Sequence, residues 1–547
     1  MGNAIIGRIS MPSDPQPQSV PSTHRLVRAA TLMAVATVAS RALGLLREIV
    51  TAALFGATND KAAYVIGYYL PFFVQRLLLG GTLSIVFIPT ISRYLARGDA
   101  DEARRVTGSL LTVVVLIGLG MVIVGELIAP LLVPAAAPGF AATPGLLALA
   151  IRLTRIIFVA MFFLALAVFV TGYLQAHQHF TVPALAPLLF NGVIIAGTLI
   201  LGPRLGIAAL AVSWILGTLA QFVVQLPTAR RLGLQLRPAF DLGHPAVKEI
   251  GRLAVPAMLG LAVIEINAYV DRFFASFLAA APGVNAVAIL DYAYEVIQAP
   301  AGIFAISIAT AVFPSLARHA AAGARDDLRA MTSMGLRATV FMILPVTALV
   351  LALREPLIRV LFERGQFTSA ATGAVAGAVA AFAVGLPAFA AYYVVTRTYY
   401  ALQDMATPVR IGGMMIILNA ILDYFLMQVF GVPGIALATA IVGHINVAVL
   451  WWVLRRRLGR LDGARLIRTV LRTGLAAAVA GGGMVLLGAR LPVVILATRL
   501  SGQFVQVGLA ALGGAAIYLV ACRLLGVEEL AMVWTIFRRS PASPTVR

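Results

Sequence analysis

The chain has 547 residues, 61% of them hydrophobic and 12% charged, with a mean hydropathy of +0.94. That balance excludes a soluble globule and describes a polytopic membrane protein. The formal net charge of +20 would point to nucleic acid in a soluble chain. Here the arginines sit in short segments between apolar runs, which is a topology signal, so no nucleic-acid partner is expected.

Residues 1–26 are rich in Pro, Ser and Gln and read as a disordered cytoplasmic tail. Apolar segments able to cross about 30 Å of hydrocarbon then follow at 28–55, 62–92, 107–134, 145–176, 182–202, 205–228, 250–280, 285–316, 332–353, 370–400, 408–430, 433–455, 466–489 and 503–525. The spacing thus predicts an all-α protein of about fourteen transmembrane helices. Arg93, Arg97, Arg104 and Arg105 follow the second segment, Arg230, Arg231 and Arg237 the sixth, Arg318, Arg325 and Arg329 the eighth, and Arg455, Arg456, Arg457 and Arg460 the twelfth. By the positive-inside rule both termini lie in the cytoplasm. The basic connection 354–368 falls on the outer side of this count, and its alternating apolar residues suit an interfacial segment.

An internal repeat is present. An offset of 225 superposes Arg47 on Arg272, Pro89 on Pro314, Arg93 on Arg318, Asp101 on Asp326 and Arg104 on Arg329. An offset of 228 superposes Leu174 and Gln175 on Leu402 and Gln403, and Asn191 on Asn419. Two six-helix lobes, 27–240 and 241–462, are therefore expected to be related by an axis along the membrane normal, as in alternating-access transporters. Residues 463–527 form two further helices outside the repeat, read as an appendage or a lipid-facing groove, and 528–547 a cytoplasmic tail.

Charges inside the apolar segments mark the candidate site, because each costs on the order of 3 kcal/mol at mid-depth unless it faces protein or water. At 100° per residue, Glu48, Ser40 and Arg47 fall at about −20°, −100° and −120° from Arg41, opposite Leu43, Leu46, Ile49 and Val50. One face of the first helix is therefore polar. An Arg–Glu pair bracing two helices is the simpler reading; two arginines against one glutamate favour an anion site. In the eighth segment Asp291, Glu295 and Gln298 share a face, either pairing with Arg41 and Arg47 across the lobes as a gate or lining the cavity and titrating. Asp271 beside Arg272 reads as a local pair. Asn419 and Asp423 are four apart, and a hairpin centred near Gly431 brings Thr439 to their depth. With Glu265 these hard oxygens suit Na⁺, or a proton; the bland reading is a hydrogen bond bracing two helices. His177 and His179 read as solvated turn residues.

SRALGLLRE (40–48), FIPTISRY (87–94), VDRFFASFL (270–278), LFERGQFT (361–368) and YYALQDMATPV (399–409) together resemble the MurJ/MviN lipid II flippases of the multidrug/oligosaccharidyl-lipid/polysaccharide exporter superfamily, colinearly over roughly 28–525. The resemblance implies a non-enzymatic flippase of the bacterial cytoplasmic membrane with a central cationic cavity. Its cargo would be undecaprenyl-diphosphate-linked glycopeptide, its tail groove the last two helices, and its surroundings membrane lipids and wall-synthesis proteins. No cofactor is implied beyond Na⁺ or H⁺ as coupling ion. It assigns diphosphate binding to Arg41, Arg47 and Arg76, and a cation site to Asn419, Asp423 and Thr439. The chain departs from the pattern where an acidic residue is expected at Ala62, with Asp60 nearby, and where arginines are expected at Gln75 and Glu295. A different polyprenyl-linked glycan, export of small organic cations on Asp291 and Glu295, and a scaffold without transport are the alternative functions.

Overall fold

A computed structural model describes the chain except residues 1–22, 80–87, 97–98, 238, 242, 246–247, 249–251, 253–265, 280–282, 491–499 and 532–547. Glu265 and the side chain of Arg76 lie outside the described residues. The helices are α1 Thr23–Phe55, α2 Asn59–Leu79, α3 Ile88–Ala96, α4 Ala100–Ala136, α5 Leu146–Ala176, α6 Thr181–Leu205, α7 Ala208–Arg231, α8 over 266–275, α9 Ala286–Pro300, α10 Ile306–Ala321, α11 Arg325–Ala352, α12 Arg354–Phe362, α13 Ser369–Ala401, α14 Ala406–Phe430, α15 Val432–Leu458, α16 Gly463–Arg490 and α17 Leu500–Leu524. No strand occurs among the described residues.

Lipid offers the backbone no hydrogen-bond partners, so a chain this apolar must satisfy its amides within helices. Eleven helices among the described residues are long and apolar enough to cross a membrane, against the fourteen spans expected. Of the other three spans, the first and second fall on α1 and α2 and the seventh is described only over 266–275. Polar residues set several helix starts: Asp99 accepts the amide of Glu102 at 3.2 Å, Asn285 that of Val287 at 2.9 Å and Thr368 that of Ala371 at 3.3 Å. The interfacial segment expected at 354–368 holds the short helix α12. Two boundaries differ from the sequence reading. The helix begins at Thr23, inside the segment read as a tail. Residues 528–531, read as the start of the C-terminal tail, are helical, with Glu529 buried against Thr469 at 3.0 Å and Arg337 at 2.9 Å.

The halves repeat one another's packing. In the first, α1 packs on α6, α6 on α7, α7 on α5, and α5 on α2 and α4; in the second, α14 packs on α15, α15 on α13, and α13 on α9, α10 and α11. Helix α8 meets α14 through Asp271 and Asn419, as α1 meets α6 through Arg47 and Asn191. Helix α16 lies on α11 and α17, with Leu471, Leu512 and Leu524 facing outward on α16 and α17.

At one end the halves are tied backbone to backbone. There Gln366 donates its amide to the Ala53 carbonyl at 2.8 Å, and Asn285 donates to that of Ala57 at 2.8 Å. A Cβ on Gly365 would sit 2.1 Å from the Ala53 oxygen, so only glycine allows this approach. By the arginine distribution this end is expected at the outer face.

Candidate functional site

Side chains from both halves form one chain of alternating charge just inside the closed end. Arg47 on α1 meets Glu48 at 3.0 Å and donates to the Asn191 amide oxygen on α6 at 3.2 Å, with Trp214 of α7 5.8 Å away. The other oxygen of Glu48 accepts from Lys61 on α2 at 3.0 Å. Lys61 is 1% exposed, and its ammonium also reaches Asp291 on α9 at 3.2 Å, between the rings of Tyr292 at 4.7 Å and Tyr64 at 5.4 Å. The second oxygen of Asp291 accepts from Arg272 on α8 at 3.2 Å. Arg272 lies over the Tyr69 ring at 3.6 Å and donates to its hydroxyl. Three cations against two carboxylates leave a surplus positive charge. Opposite charges in one buried chain lower the cost of each other's desolvation.

The structure corrects two sequence readings. Asp291 pairs with Lys61 and Arg272, not with Arg41 or Arg47, because Glu48 and Asn191 occupy Arg47 from its own half. Asp271 and Arg272 are not a local pair. Successive residues diverge by about 100° on a helix, so Arg272 turns to the seam between the halves while Asp271 turns to α14 and α15. Lys61 was missed: it stands at the start of α2, where a charge reads as a flank, and Asp60, expected at the site, is exposed there instead. Its signal was rarity, as one of two lysines in an arginine-rich chain.

Nearer the other end, Arg41 is exposed, Ser40 partly so, and the Arg41 guanidinium lies against Gly302, where a Cβ would meet it at 2.7 Å. Gly302 is in the π turn Ala301–Ala305 between α9 and α10, beginning just after Pro300. Proline supplies no amide to the helical ladder, which favours such a widened turn. Glu295 is partly exposed and Gln298 exposed on α9.

A second cluster lies within the second half. Asn419 on α14 donates its amide to Asp271 at 2.7 Å and to Asp423 at 2.8 Å, and Thr439 on α15 donates to the other Asp271 oxygen at 2.9 Å. Asn419 and Asp423 are fully buried, and Asn419 Oδ1 and Asp423 Oδ1 have no hydrogen-bond partner. Two carboxylates, an amide oxygen and a hydroxyl with unsatisfied lone pairs fit a hard monovalent cation or a proton. The sequence reading named Asn419, Asp423 and Thr439; Asp271 completes them.

His177 turns its ring onto Tyr173, 4.2 Å between centroids, and bonds the Tyr173 carbonyl at 2.9 Å. It lines a pocket of about 530 Å³ with Arg104, Arg105 and Arg237.

Comparison with known proteins identifies the family. A family model described as lipid II flippase MurJ matches residues 51–497. A probable lipid II flippase MurJ of Vibrio cholerae is 32% identical over 92% of this chain and 97% of its own length, and one of Rhizobium tropici is 29% identical over 93% and 96%. A solved lipid II flippase MurJ in an inward closed conformation superposes with TM-score 0.75 at 25% identity, covering 90% of this chain and 98% of that one. An inward-facing multidrug resistance MATE transporter shares the fold alone, with TM-score 0.64 at 16% identity over 78% of this chain and 96% of that one. The chain belongs to the lipid II flippase MurJ family.

Proposed function

We propose that this protein moves lipid II, an undecaprenyl-diphosphate-linked glycopeptide, from the inner to the outer leaflet of a bacterial cytoplasmic membrane, with both termini in the cytoplasm. The observation that carries the reading is the surplus of guanidinium at the seam. Arg41 is exposed, and Arg47 is held in place by one carboxylate and one neutral amide. Guanidinium is the side chain best matched to diphosphate, through paired N–H donors and permanent charge.

The cycle starts with the outer end closed by the Lys61–Asp291 contact and the backbone ties at Ala53 and Ala57. A diphosphate entering from the cytoplasmic side meets Arg41 first and Arg47 deeper, while the polyprenyl tail stays in lipid along α16 and α17. Bound anion draws the arginines together, and opening of the outer end requires Lys61 to leave Asp291. Lys61 then remains with Glu48 in the first half and Arg272 with Asp291 in the second, so neither half is left with a bare charge. Resetting returns a net-positive seam toward the cytoplasm, which an inside-negative potential favours by about 2.3 kcal/mol per charge per 100 mV. The Asp271–Asn419–Asp423–Thr439 cluster joins α8, α14 and α15, and would hold a Na⁺ or proton whose binding biases that half.

Export of small organic cations would use Asp291 and Glu295 together; Asp291 is saturated by Lys61 and Arg272, which leaves Glu295, among the described residues, as the one carboxylate of that pair free for a cation.

The test is to deplete the native flippase in a bacterium expressing this chain and measure externally accessible lipid II. Restored exposure is expected, and Arg47→Ala should lower it by at least about 30-fold, the effect of losing a charge contact of 2 kcal/mol or more. Normal transport by inserted Arg47→Ala would refute the mechanism.

A further inference from the structure

Three carboxylates stand near the seam, and two are saturated. Glu48 serves Arg47 and Lys61, and Asp291 serves Lys61 and Arg272. Glu295, one turn beyond Asp291 on the same face, feels the charge of Glu48 and Asp291 as well as that of Arg47 and Lys61. It nevertheless makes no ion pair or hydrogen bond among the described residues.

The cations nearby cannot turn to it without breaking what they hold. Arg47 spends Nε and Nη2 on Glu48 and Nη1 on Asn191. Lys61 is enclosed by Glu48, Asp291 and two tyrosine rings. Arg272 is held by Asp291, Tyr69 and the Ala268 carbonyl. The other polar groups facing this stretch, Tyr68 and Tyr69 on α2 and Tyr294 on α9, are neutral. A partly exposed carboxylate at membrane depth with no cation of its own is an unmet charge.

Its position gives that charge a use. Gln298 and Gly302 follow Glu295 on nearly the same helical face, and Arg41 lies against Gly302. Seven residues of helix span about 10 Å, so one wall of the seam presents a guanidinium, an exposed amide and then a carboxylate. Such a wall is complementary to a headgroup that carries its anion and a cation at separate points.

We propose that Glu295 is a specificity-determining residue that receives a primary ammonium on the peptide of the cargo while the diphosphate lies on Arg41 and Arg47. This rests on the lipid-linked glycopeptide reading and names which part of the headgroup the protein selects.

The experiment uses full-length protein in proteoliposomes with two probes: lipid II bearing a free side-chain amine, and the same lipid acetylated on that amine. Wild type should move the free-amine lipid about tenfold faster. Glu295→Gln and, as a second variant, Glu295→Ser should bring the two rates within about twofold, and Glu295→Asp should keep the preference. Because each ratio is taken within one preparation, partial misfolding cancels. A wild-type ratio near one, or a ratio unchanged in Glu295→Gln, overturns the proposal while leaving the flippase reading intact. A ratio unchanged with an altered pH profile would instead make Glu295 a proton carrier. If wild type moves neither lipid, the flippase reading itself fails and the proposal with it.

Discussion

The same helix pair is used for opposite purposes in the two halves. In the first, α1 and α6 meet through Arg47 and Asn191; in the second, α8 and α14 meet through Asp271 and Asn419. The asparagine is common to both, and its partner changes sign. Beside Asn191 the amide oxygen accepts from a guanidinium, so the junction presents positive charge toward the seam. Beside Asn419 the amide nitrogen donates to two carboxylates, and the junction closes inward on a buried cluster of oxygens. An amide accepts either partner by rotating, since it carries both a donor and an acceptor. A duplicated scaffold can thus present a guanidinium in one half and a cluster of oxygens in the other without altering the packing around either.

The largest expected effect concerns the tie between the halves. Asp291→Asn leaves Lys61 and Arg272 facing each other across a neutral amide, and loss of one partner of a buried ion pair costs about 3–5 kcal/mol. Thermal unfolding in detergent should show a large drop, and a cysteine introduced at exposed Asn59 should label faster from outside as the closed end loosens. An unchanged labelling rate would separate the charge chain from the gate.

Next is the cation cluster. Asp423→Asn removes one of the two carboxylates of the Asp271–Asn419–Asp423–Thr439 cluster, and transport should lose its dependence on Na⁺ or on pH while insertion persists. Retention of both dependences would reduce the second junction to a brace.

Asn191→Ala removes the neutral support of Arg47. A hydrogen bond to a charged group contributes about 1.5–3 kcal/mol, so transport should fall about tenfold or more, whereas Asn191→Asp, which replaces the neutral partner by a second carboxylate, should pin Arg47 and depress transport further. Equal transport in both variants would deny the contrast between the junctions.

The smallest effect lies at the turns that lead into α6 and α14. Asp404 accepts from the Thr407 amide at 2.9 Å and its hydroxyl at 2.6 Å and pairs with Arg457; offset 228 puts Ala176 at its place in the first half. Burial alone would raise the Asp404 carboxyl, but these hydrogen bonds and the arginine outweigh it and hold it below the usual range. A depressed carboxylate stabilises the fold above its unfolded pKa, near 4, and that stabilisation is lost as pH falls through the folded value. Asp404→Ala should cost about 1 kcal/mol, the scale of a helix cap, and flatten the acid limb of the stability profile. Ala176→Asp should give no comparable gain, since offset 228 puts Ala229 in the place of Arg457.

Residue periodicity and arginine placement determined the helical fold, the polar face of α1 and the Asn419–Asp423–Thr439 set, because all of these depend on spacing along one helix or across one tight turn; self-similarity at a near-constant offset determined the repeat. The partners of the charges depended on tertiary structure. Lys61 lies thirteen positions from Glu48 and far from Asp291, and Asp271 meets α14 nearly 150 residues later. A charge read from sequence has a face but no neighbour. Which of several arginines satisfies a given carboxylate is decided only when two halves, each internally complete, are packed against one another and every buried charge must find a partner.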